Sequence, residues 1–185
     1  MTTARQLALI LFLTTPLTAM AHNFIVGQRV APVGIVDNGE LIYVQGKFSY
    51  APWNSAQLVG KVRVIQHIAG RSSAKEQNAA LIEAIKKAQF PGDRYQTTTL
   101  VNTDDAIPGT GMFVRSSIEN NKKQYPWSQF IVDSNGTAKK TWQLTEGGSA
   151  IVILDKKGDV RFAKDGALTQ EEVKQAIALL HTLLE

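Results

Sequence analysis

The chain has 185 residues, 44% of them apolar, which suits one domain with a sizeable core. It contains no cysteine, and this removes disulfides, thiolate nucleophiles, thiolate metal sites and iron–sulfur clusters. Its formal charge is +4, but the basic residues are scattered in pairs among acidic ones, as at Lys86-Lys87 and Lys139-Lys140, a pattern of solvated surface that argues against a nucleic-acid partner.

The N-terminus reads as an export signal. Arg5 is followed by the apolar run Leu7 to Leu13 and then by Ala19-Met20-Ala21, a small-residue cleavage site. The run is too short for a stable membrane anchor. Cleavage is expected after Ala21. That leaves His22 as the first residue of a single mature domain, 22–185, in the periplasm, with no membrane insertion after cleavage. Losing Arg5 lowers the formal charge to +3.

Residues 24 to 60 alternate glycines and prolines with short apolar runs, the pattern of short strands and loops. Asp37-Asn38-Gly39 has the composition of a hairpin turn. Ser49 to Asn54 reads as a loop carrying aromatic residues, including Trp53. Lys61 to Ile68 is rich in Val and Ile, as a buried strand is. Ser73-Ala74-Lys75-Glu76 has the form of a capping box, followed by a helical stripe of Leu81, Ile82 and Ile85. Tyr95 to Asn102 is a predicted strand, Thr103 to Gly111 a loop and Met112 to Lys123 a short helix.

Further on, Gln129 to Asp133 reads as a strand and Thr137 to Leu144 as a strand or helical segment. Ser149 to Leu154 and Val160 to Ala163 form a hairpin across Asp155-Lys156-Lys157-Gly158. A second capping box, Thr169-Gln170-Glu171-Glu172, opens a last helix with Val173, Ala176, Ile177, Leu180 and Leu184 on one face. Strands and helices that alternate and then close on a hairpin and a helix imply an α/β sandwich.

Several runs carry a resemblance. Gly27-Gln28-Arg29-Val30-Ala31-Pro32, Leu58-Val59-Gly60-Lys61-Val62, Phe130 to Gly136, Val152 to Val160 and Gly166-Ala167-Leu168-Thr169 resemble, in order, the segments of the peroxiredoxin and TlpA/ResA-like branch of the thioredoxin superfamily. More closely, Trp53 to Lys61, Gln66 to Arg71 and Asn102 to Gly109 resemble the YtfJ family of exported bacterial proteins. The resemblance implies an α/β, thioredoxin-like fold: a central mixed sheet flanked by helices, with an N-terminal β extension. It implies no cofactor and brings no activity with it.

The departures from the redox pattern define the candidate site. Aligned on Glu76, the two cysteine positions hold Gly70 and Ser73, and Ser149 stands where redox members carry a cis-proline. Disulfide exchange and thiol peroxidase chemistry are excluded, because the chain has no thiol. No G-x-S-x-G, H-E-x-x-H or phosphate-loop motif supplies another reaction. What the turn does offer is a helix start with Gly70, Arg71 and Ser72, and around it the ends of neighbouring strands with Asn102, Asp104 and Ser149. Trp53, in a proline-bearing loop, is a candidate anchor for a protein interface. These residues are expected to bind a protein or peptide partner in the periplasm. The alternative is a small ligand at Gly70 to Ser73, or copper at His22, whose free amine and imidazole can chelate together. The sequence carries no signal for an oligomeric state.

Overall fold

The computed structural model describes residues 22–185. The expected export signal and its cleavage site, 1–21, lie outside the described residues. In chain order the elements are β1 (Gly34–Val44), β2 (Lys47–Asn54), a 3-10 turn (Ser55–Leu58), β3 (Val62–Ala69), α1 (Ser72–Gln77), α2 (Ala79–Ala88) and β4 (Tyr95–Asn102). Next come α3 (Gly111–Gln124), β5 (Gln129–Asp133), α4 (Thr137–Trp142), β6 (Ser149–Leu154), β7 (Val160–Asp165) and α5 (Gln170–Leu184). The strands form one mixed sheet in the order β2-β1-β5-β4-β3-β6-β7. β3, β4 and β5 run parallel, β6 and β7 close one side antiparallel, and the β1–β2 hairpin extends the other.

Alternation along β3 assigns the two faces of the sheet. Val64 packs with Leu81 and Ile85 of α2 and Val173, Ala176 and Leu180 of α5. Ile68 lies on the same face and packs with Val101, Phe130 and Ile118 of α3. Ile65 points the other way, into a core built with Leu100, Val152, Ala138 and Trp142 of α4, and Phe24, Val30 and Val33 of the N-terminal segment. α2, α5 and α3 therefore cover one face, and α4 with residues 24–33 covers the other.

Three local expectations change. Asp37-Asn38-Gly39 does not turn the chain. It forms a bulge inside β1, where pairing jumps from Ile35↔Trp53 to Glu40↔Ala51. Asp37 Oδ2 accepts from the Ser134 amide at 2.6 Å, so the bulge is tied to the end of β5. The reversal is made by Gln45 and Gly46, both at positive φ, between the paired residues Val44 and Lys47. The segment read as a loop, Ser49 to Asn54, is β2 itself. Finally, the Ser73–Glu76 capping box does not form: the N-cap is Arg71, extended at φ −137° and ψ 144°, and Ser73 is already helical. At Thr169 the box does form, with Thr169 Oγ1 accepting from the Glu172 amide at 3.2 Å and the Thr169 amide donating to Glu172 at 2.7 Å.

The predicted first helix is also split. Asn78 leaves helical geometry and is fully buried. Its Nδ2 donates to Ser149 Oγ at 3.0 Å and to the Gly166 carbonyl at 3.2 Å, and its Oδ1 accepts from the Leu168 amide at 2.9 Å. A buried amide with all three bonds outweighs continuous helix.

Candidate functional site

The sheet brings the carboxyl ends of β3, β4 and β5 together, and with them most of the residues singled out in the sequence. The Gly70 amide donates to the Asn102 carbonyl at 2.8 Å, and a Cβ at Gly70 would stand 3.1 Å from Ala106 Cβ. The β3–α1 and β4–α3 loops are thus in direct contact. Arg71 clasps them: its Nε donates to the Asp105 carbonyl, and its guanidinium lies on Gly147 of the α4–β6 loop. Gly147 is at φ +69°, where any Cβ would sit 3.2 Å from Arg71 Nη1.

Beneath this clasp is a charged pair that the sequence reading did not single out as a unit. Asp105 Oδ1 accepts from Lys139 Nζ at 2.6 Å, and Oδ2 accepts from the Gly147 amide at 3.1 Å. Burial pushes the Asp105 carboxyl up, but the hydrogen bonds from Lys139 and Gly147 outweigh it and hold the group below its usual value. The same pair holds the Lys139 ammonium above its usual value.

The other candidates divide. Ser72 is exposed beside Arg71. Asp104 is exposed, with Oδ2 3.8 Å from Lys140 Nζ. Asn102 is wholly buried, its Oδ1 accepting from the Asp104 amide at 3.1 Å, and shapes the loop from within. Ser149 is buried and engaged by Asn78. α1 has only 6 residues, so the helix start expected to draw a ligand is a single short turn.

Trp53 is not an interface anchor. It lies in β2 opposite Ile35, 1% exposed, in the core beneath Phe24 and Leu58. Strand alternation, not a loop, sets its direction. His22 stacks on Phe24 at 5.1 Å, and its Nδ1 accepts from the Phe24 amide at 3.3 Å. A chelate at His22 would need a second imidazole, but His67 is buried in β3 and His181 packs edge-on to Phe90 of the α2–β4 segment, each in another neighbourhood. Among the described residues no three His, Asp or Glu side chains are placed to hold a metal ion.

A broad concave feature starts at this same turn. A cleft of about 1130 Å³ runs from Gly70, Arg71 and Ser72 between α2 and α3 to Tyr125 and Trp127. Its floor is the α2/α3 face of β3 and β4: Gln66, Ile68, Thr97, Thr99 and Val101. One wall is Ala79, Ile82 and Glu83 of α2; the other is Phe113, Val114 and Ser117 of α3. Lys86 Nζ lies 4.9 Å over the Tyr125 ring and narrows the far end. Ile107, Phe113 and Trp127 on the rim are 53%, 75% and 71% exposed, an apolar edge around a partly polar floor. Central parallel strands are normally near-continuous apolar runs. The trace of the cleft in the sequence is Gln-Thr-Thr-Thr at 96–99, in a strand that the sheet order makes central.

Comparison with known proteins places this geometry in context. The family model described as "Bacterial protein of unknown function (YtfJ_HI0045)" matches residues 24–183. The chain is 66% identical over 183 residues to "Uncharacterized protein YtfJ" of Escherichia coli (strain K12), covering 99% of this chain and 100% of that one. It is 42% identical over 163 residues to an "Uncharacterized protein" of Haemophilus influenzae, covering 88% and 89% of the two. Among solved structures, a thiol-disulfide isomerase of Corynebacterium glutamicum superposes with a TM-score of 0.56 at 18% identity, over 84% of this chain and 97% of that one. The thioredoxin domain of a thiol-disulfide oxidoreductase of Bacteroides vulgatus superposes with a TM-score of 0.55 at 10% identity, over 88% and 100%. At these identities the structural likeness speaks to the fold alone. Thioredoxin-like in fold and without a cysteine, the chain belongs to the YtfJ_HI0045 family.

Proposed function

We propose that this protein is a non-redox, thioredoxin-like binding protein of the periplasm that holds a segment of a protein partner in the cleft between α2 and α3. The observation that carries the reading is the cleft itself. It opens at the Gly70–Ser72 turn, where redox relatives of the fold place their thiols, and it is lined by apolar residues that a folded domain ordinarily covers. Arg71 fits the reading as a clasp with one face on Asp105 and Gly147 and another toward the cleft. No helix among the described residues is long and apolar enough to cross a membrane.

The reading is tested by a photo-crosslinking amino acid placed at Phe113 on the cleft wall, and separately at Val36, which is exposed on β1. A single defined protein adduct at Phe113, absent at Val36 and lost when Ser117→Trp narrows the cleft, supports it. The same adducts from both positions, or none at Phe113, overturn it.

A further inference from the structure

We infer that the cleft is built for an amphipathic α-helix with acidic flanks, not for an extended peptide or an acyl chain; this rests on the proposal that a partner segment occupies it. The decisive point is backbone hydrogen bonding. The floor strands lie inside the sheet, in the order β5-β4-β3-β6, so each is already paired on both sides. An extended segment lying on them finds no edge to pair with, and its own N–H and C=O groups would be desolvated between apolar walls. A helix carries its backbone bonds with it.

The dimensions agree. The gap lies within the helix layer, walled by a helix on each side and floored by the sheet. A helix about 10 Å across and rising 1.5 Å per residue takes roughly 120 Å³ per residue, so about 1130 Å³ admits nine or ten residues. The floor from Tyr95 to Val101 is ~20 Å long, the length of a helix of about 13 residues, which projects at the open end beside Ser72.

The lining also specifies the occupant's surface. Ala79 and Ile82 face Phe113 and Val114 across the gap, calling for apolar residues on the inserted face. Gln66 and Thr99 are 6% and 8% exposed, and neither side chain takes part in a hydrogen bond among the described residues. They call for one hydroxyl or amide within that apolar face, fixing its register. The charged lining is Lys61, Arg71, Lys75 and Lys86 against Glu76 and Glu83, and Glu83 is already paired with Lys86 at 2.7 Å. The remaining excess is cationic, so the flanks of the helix are acidic.

The test is a selection from two displayed peptide libraries, one random and unconstrained, one constrained to helix. The bait is the domain as it stands, with counter-selection on the double variant Ala79→Trp, Ser117→Trp. Both positions are exposed wall residues, and the fold of the variant is checked by circular dichroism. If the double variant does not fold, Ser117→Trp alone is used. The expected winners have apolar residues at i, i+3, i+4 and i+7 with Asp or Glu beside them. They gain helicity on binding, lose about tenfold or more in affinity on the blocked variant, and weaken similarly with Gln66→Ala. Winners that depend on the open cleft but are proline-rich or alternate in period two overturn the helix while leaving the partner-segment reading intact. Displacement of the winners by a long-chain carboxylate that binds more tightly overturns both, as does the absence of any winner sensitive to the blocked cleft.

Discussion

His67 is a titratable side chain held inside the sheet. It is 2% exposed, its Nε2 has no hydrogen-bond partner, and burial lowers its pKa from 6.5 to about 4. Asp105 and Asp165 oppose that shift and Lys139 reinforces it, but burial dominates. The folded protein therefore keeps His67 neutral, while the unfolded chain takes up a proton below pH 6.5. The His67 contribution to stability is flat above 6.5, falls as the pH drops from 6.5 to about 4, and levels below that, with a loss of at most ~3 kcal/mol. The buried Asp105 and the half-buried Asp155 are held below their ordinary value of 3.8, so their contribution is lost only at lower pH. Urea unfolding from pH 7.5 to 4.5 should show the slope, and His67→Leu should flatten it; an unchanged slope in the variant would assign the loss to other groups. Two glycines make a sharper contrast. At Gly39, φ is +77° and a Cβ would lie 2.2 Å from the Ala51 carbonyl oxygen, whereas at Gly34 nothing lies within 4 Å. Gly39→Ala should cost more than about 2 kcal/mol and Gly34→Ala less than about 0.5, read from unfolding midpoints. Equal effects would mean that the β1 bulge relaxes freely.

At the scale of elements, the α1–α2 break shows that a helix can be given up to satisfy a buried amide. Asn78→Ala restores helix propensity worth about 0.6 kcal/mol but leaves the buried Ser149 Oγ and the part-buried Gly166 carbonyl and Leu168 amide without this partner. A net loss of about 2–3 kcal/mol is expected, measurable by denaturant unfolding, and a stabilised variant would show that the three bonds contribute little. This break also marks the limit of what the sequence discloses. β4, β5, β6 and α5 are legible because their patterns are local: alternation, apolar runs and a capping box contained within a few residues. The role of Asn78 is not, since its partners lie 71 to 90 residues away. The same distinction explains the site. Gly70, Arg71 and Ser72 could be picked out as a turn at the end of a strand. Asp105, Lys139 and Gly147 become one cluster only when the β4–α3 loop, α4 and the α4–β6 loop meet. Trp53 was misplaced because a proline beside it suggested a loop, while the register with Ile35 turns it into the core. The cleft needed a judgement about which helix covers which strand, and only the unusual threonines of β4 pointed to it.

At the scale of the molecule, the question is whether this protein is a redox domain that lacks only its thiols or one whose turn has been rebuilt. Gly70 is buried, its amide is held by the Asn102 carbonyl, and Ala106 closes over the place a side chain would take, with 3.1 Å to a Cβ. Ser73, in the first turn of α1, is exposed. A thiol at a redox turn must reach solvent as a thiolate and be attackable. Restoring cysteines should therefore fail asymmetrically. With Ser73→Cys, the introduced thiol should react with a chromogenic disulfide reagent about as fast as a free thiol, with little change in melting temperature. With Gly70→Cys, the thiol should stay protected in the folded protein, and the domain should melt lower, because the side chain must push back Ala106 and the Asn102 backbone. The double variant should then show no disulfide reductase activity above background. If instead both thiols react and the pair cycles between dithiol and disulfide at wild-type stability, the turn is still a redox scaffold and only two side chains separate this protein from that chemistry. The packing of Ala106 against Gly70 predicts the first result: the contact that leaves no room for a side chain at Gly70 also forms the closed end of the β3–α1 turn from which the cleft departs.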